Sequence, residues 1–111
     1  MSTPPPDPPI PPLGIGLEEG GLTDAQFCQI VQHVWALPGR WLVERNEDER
    51  GSVFAFVIQD VEGEDGLAFA LFQAAHEINL DLCRGDGFES LGRFETVRHA
   101  MTRVLHIARR T

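Results

Sequence analysis

The chain contains no lysine and no tyrosine, only three serines, and two cysteines set far apart, Cys28 and Cys83. Each shortage narrows the function. None of the serines (Ser2, Ser52, Ser90) stands in a GxSxG setting, so no nucleophile elbow is available. Neither cysteine belongs to a CxxC pair or to a Cys/His cluster of ligand spacing, so both are expected as free buried thiols and no metal site is predicted. Apolar runs such as 52–59 and 67–75 fall well short of the about 20 residues that a spanning helix needs, and no membrane association is expected. No basic region followed by an apolar one comes after Met1, which makes a cytoplasmic location the expectation. A basic set made only of arginine, with abundant Ala, Gly and Pro, is the coding bias of a GC-rich genome and points to a bacterial source.

Proline is also scarce outside one segment. Of the eight prolines, all but Pro38 lie between Pro4 and Pro12, and the glycine-rich stretch 13–21 follows. Such a segment offers few amide donors and no periodic apolar face, so residues 1–21 are predicted to be a disordered Pro/Gly-rich tail and 22–111 a single domain. Its PxxP spacings have no flanking Arg or Lys, the nearest being Arg40, which argues for a spacer over a recognition motif.

A capping box opens the domain. Thr23 is the expected N-cap with Gln26 at N3, and Leu22 and Phe27 stand where a hydrophobic staple would pack. The helix that follows places Phe27, Ile30, Val31, Val34 and Trp35 on one stripe and stops at Leu37-Pro38-Gly39. The period then changes to two. Residues 40–46 and 52–59 flank the charged turn 47–51 as a hairpin. The second of these runs is apolar on both faces, with Phe54, Phe56 and Ile58 on one and Val53, Ala55 and Val57 on the other, as in a central strand. After the acidic turn 60–66, residues 67–75 read as a further strand, although their alanines also permit a helix. His76 to Cys83 alternates, with Ile78, Leu80 and Leu82 inward and Glu77, Asn79 and Asp81 outward. Residues 88–93 add a short fifth strand, and a helix from about Phe94 to Arg109 closes the chain. The predicted fold is α+β: an N-terminal helix, a four- to five-stranded antiparallel meander sheet, and a C-terminal helix packed on the sheet. Two helices leave a sheet face that a second subunit could cover.

Candidate chemistry is thin. His99 and His106 share a helix face but are separated by about 10 Å of rise, too far for one ion without further ligands. His76 and Glu77 project to opposite sides of a strand, and an inward His76 is expected as a core or edge residue. The loop Gly85-Asp86-Gly87 with Gly92 lacks phosphate-binding spacing and carries Asp86. The paired carboxylates at 47–49 and 62–65 sit in hydrophilic turns beside glycine, where nothing separates their pKa values. No catalytic residue and no cofactor is predicted, and the chain reads as non-enzymatic.

Charge is uneven. The net charge is −8, yet the segment from Arg93 onward is basic, with five arginines against Glu95. An acidic body opposes nucleic acid through the long-range field, whereas a basic helix face can still act locally. Arg98, Arg103, Arg109 and Arg110 are therefore the candidate partner-binding residues. The expected function is a protein-interaction module, an adaptor, chaperone or immunity-like protein acting as a homodimer or with a protein partner. The alternative is a nucleic-acid-associated or regulatory domain that uses the same arginines.

Overall fold

The computed structural model describes residues 21–62, 66–84 and 87–110. Apart from Gly21, the predicted tail lies outside the described residues. The described chain runs through helix α1 (Asp24–Val34), strands β1 (Trp41–Glu47), β2 (Val53–Gln59), β3 (Ala68–Ala74), β4 (Glu77–Arg84) and β5 (Gly87–Phe94), and helix α2 (Val97–Arg109). The strands form one antiparallel sheet in the meander order β1-β2-β3-β4-β5, so the architecture is the predicted α+β one, with five strands.

The capping box is in place. The Thr23 hydroxyl accepts the Gln26 amide at 3.1 Å, and the Gln26 side chain accepts the Thr23 amide at 2.9 Å. Just upstream, the Leu22 amide donates to the Val53 carbonyl at 2.9 Å, which pins the entry to α1 against the start of β2. Ile30 and Val34 are buried, but Trp35 is 84% exposed, contrary to its expected place in the apolar stripe. At 3.6 residues per turn Trp35 lies about 140° round the axis from Ile30. Leu37, three residues past the end of α1 and with its amide bonded to the Val34 carbonyl at 3.0 Å, is buried instead.

Both helices close over the same side of the sheet. Ala55 and Val57 of β2, Phe69 and Leu71 of β3, and Ile78, Leu80 and Leu82 of β4 are buried there with Val97, Ala100, Met101, Val104 and Ala108 of α2. Cross-strand pairs Val57↔Phe69, Phe69↔Leu82 and Leu71↔Leu80 build the floor of that core. Residues 68–74 are strand, as expected, because alternate side chains (Phe69, Leu71) reach the helices.

Two boundaries differ from expectation. His76 is not the first residue of a strand: Ala74 pairs with Glu77, and Ala75 and His76 form a two-residue turn at φ 53° and 68°. Two successive positive φ values mark a primed turn, whose twist matches the strands it joins. Phe94 belongs to β5, where it pairs with Ile78, and α2 begins only at Val97. Thr96, two residues past the strand and in extended conformation, caps the helix, accepting the His99 amide at 3.1 Å. Within β5 the register shifts after Leu80↔Gly92, leaving Leu91 as the extra residue of a bulge beside Gly92 at φ 122°.

Candidate interaction surface

The alternation that sends Val57, Phe69 and Leu80 to the helices sends their neighbours to the opposite side. There Leu42 stands across from Ile58, Phe54 from Phe72, Phe56 from Ala70, Ala70 from Asp81, and Cys83 from Phe88. Among the described residues no helix or loop covers this face. Phe88 is 65% exposed and Leu42 52%, while Phe54, Phe56, Ile58 and Phe72 are half-buried by one another. Phe54 and Phe56 meet edge to face at 5.3 Å between ring centres. A contiguous apolar surface of this kind is unusual on a protein that acts alone.

A groove of about 1210 Å³ runs over it. Its floor is formed by Phe54, Phe56, Ala70, Phe72 and Asp81, and Phe88 flanks it. At its rim stand Gly21, where the chain enters α1, Asp48 and Arg50 of the β1–β2 turn, and the Ala75–His76 turn. Asp48 is committed locally, accepting the Arg50 and Ser52 amides at 2.8 and 2.9 Å. Asp81 is not: among the described residues its carboxylate has neither an ion pair nor a hydrogen bond, although its backbone is paired in the sheet. Burial among apolar side chains holds its carboxyl above the ordinary value of 3.8. The Cys83 thiol is likewise raised, by burial and then by the Asp81 charge, which is the reverse of what a thiolate nucleophile needs. Cys83 is half-buried and Cys28 exposed, so only in part do the cysteines match the buried thiols expected, and both are free.

Arg98, Arg103, Arg109 and Arg110 are all exposed on or just beyond α2. No acidic residue lies between Val97 and Arg110. Among the described residues none of these four forms an ion pair, whereas sheet and loop arginines do: Arg40 with Asp60 at 3.1 Å, Arg84 with Glu89 at 2.9 Å, Arg93 with Glu77 at 3.7 Å. The α2 arginines thus share a basic surface on the helix side of the molecule, away from the apolar groove. His99 and His106 are exposed there too. No three His, Cys, Asp or Glu side chains among the described residues come together as a metal site would require. No described helix is long and apolar enough to cross a membrane.

Sequence reasoning placed the arginines but did not nominate the apolar groove. Its signal was present in β2, whose two apolar faces require two covers while the helices supply one. No family model, curated protein or solved structure matches the chain.

Proposed function

We propose that the protein is a non-enzymatic interaction module, an adaptor, chaperone or immunity-like protein of the cytoplasm, whose contact surface is the uncovered apolar face of its sheet. The observation that supports this is the continuity of Leu42, Phe54, Phe56, Ile58, Phe72 and Phe88 across one face with no described element over them. Burying such a face against a protein surface returns about 25 cal/mol for each Å² of apolar area removed from water, before the entropy of association is subtracted. The occupant is a protein partner or a second copy of the chain.

Phe56→Asp is the test, because it places a charge in the middle of the face while leaving the helix-side core untouched. Sedimentation velocity over a concentration series, together with capture from the native host's lysate and mass spectrometry, should show an association of the wild type that Phe56→Asp abolishes. A wild-type chain that stays monomeric and captures nothing in a Phe56-dependent way rejects this reading.

A second reading is favoured by the absence, among the described residues, of ion pairs on α2. A helix with three arginines, a fourth just beyond it and no acid is suited to an anionic partner, and phosphates would be held by Arg98, Arg103, Arg109 and Arg110. The acidic remainder of the chain opposes that approach.

A further inference from the structure

We propose that the groove takes a segment of another protein that is apolar along its length and sets one lysine or arginine against Asp81. The inference rests on the sheet face being the contact surface and names the chemistry that surface selects. A space of about 1210 Å³ exceeds the 300–1,000 Å³ typical of small-molecule sites, so a peptide segment fits it better than a metabolite.

Asp81 decides the rest. It stands opposite Ala70 within the phenylalanine floor and its carboxylate has no partner among the described residues. Any occupant strips the remaining water from its carboxylate. An all-apolar occupant would leave a buried charge uncompensated, whereas a cation converts it into a charge-assisted hydrogen bond.

Among the described residues none of the chain's own cations pairs with Asp81. Residues 1–20 contain neither Lys nor Arg. A second copy docked by the same face brings another Asp81, an Arg93 already 3.7 Å from Glu77, and an Arg50 that stands on a rim turn outside the apolar floor. The α2 arginines lie on a helix whose apolar side is buried in the core, so they come without side chains to fill the groove.

The test is selection of a phage-displayed library of random twelve-residue peptides on the full chain, with Phe56→Asp and Phe88→Asp as counter-screens and circular dichroism confirming that each variant is folded. Phe88 is well exposed, so its replacement keeps the counter-screen usable if Phe56→Asp fails to fold. The expected result is a set of Phe-dependent binders, apolar apart from one Lys or Arg, that bind Asp81→Asn about ten- to a hundredfold more weakly than wild type, the scale of one hydrogen bond to a charged group. Apolar binders without that basic residue, or with equal affinity for Asp81→Asn, overturn this inference and leave the sheet face standing as the contact surface. Binders indifferent to both phenylalanine variants, or none at all, overturn the inference, and a chain that also stays monomeric at every concentration overturns the sheet-face reading with it. Concentration-dependent dimerisation abolished by Phe56→Asp assigns the groove to a second copy and overturns the inference alone.

Discussion

At the β3–β4 turn, Ala75 and His76 hold φ values of 53° and 68°, a region that L-residues enter at a cost, smaller for Asn, Asp and His than for Ala. Neither side chain offers the local hydrogen bonding that makes Asn-Gly the common choice for a primed turn. Replacing the pair by Asn-Gly should therefore stabilise the fold, by about 1 kcal/mol, seen in urea denaturation with an unchanged m-value. A loss of stability would mean that the Ala75 or His76 side chain makes a contact worth more than the relieved strain. Asp81 presents a different conflict, between charge and surroundings. Its carboxyl titrates above 3.8 because burial disfavours the anion, so the folded chain holds that proton to higher pH than the unfolded chain does. Stability from this group is then greatest at low pH and falls as the pH rises from 3.8 through the raised value. Asp81→Asn should melt higher than wild type at pH 7, with the two curves converging near pH 3, measured by thermal denaturation across that range. A wild type that is the more stable at pH 7 would show that Asp81 has a stabilising partner. Greater stability combined with lost binding is the pattern expected of a residue kept for recognition.

Elements declared themselves in the sequence where a local rule acts alone. The Thr23/Gln26 box needs only neighbouring backbone amides, and it fixes the start of α1 as expected. Thr23→Ala should cost about 0.5 to 2 kcal/mol in equilibrium denaturation, and no change would place the start of the helix elsewhere. The strand identity of 68–74 was legible from its flanks, since a meander needs a strand between β2 and β4. Boundaries set by competition between neighbours were not. Phe94 fits an apolar helical stripe and an alternating strand equally well, and its pairing with Ile78 decides for the strand. His76 suits a strand in sequence, but closing a two-residue hairpin between Ala74 and Glu77 takes it into the turn. Trp35 is apolar, yet its angle about the axis outweighs its chemistry. The groove was half legible: doubly apolar β2 announced a second face, but which residues join Phe54 and Phe56 there depends on strand register, which no single strand encodes.

The whole molecule separates its two unusual surfaces, an apolar sheet face on one side and an arginine-bearing helix on the other. An internal role for the arginines, pairing with the acidic turns, would make them part of the fold's stability. Arg98, Arg103, Arg109 and Arg110 have no ion-pair partner among the described residues, while Arg40, Arg84 and Arg93 do. Arg98→Glu with Arg103→Glu should accordingly leave the melting temperature nearly unchanged, since even paired surface charges contribute only about 0 to 1 kcal/mol each. Arg109 and Arg110 are different, because cations at the C-terminal end of α2 oppose its dipole favourably and their reversal should destabilise modestly. Function then divides the two readings. If the sheet face is the contact surface, a fluorescence-anisotropy titration of wild type with a 20-base-pair DNA duplex, or with RNA of similar length, shows no binding at physiological salt. The same double variant also leaves Phe56-dependent association intact, because the arginines lie across the sheet from the groove. Micromolar nucleic-acid binding that weakens steeply with salt and vanishes in Arg98→Glu/Arg103→Glu would move the function to α2, since that slope counts the cations released as phosphates are neutralised.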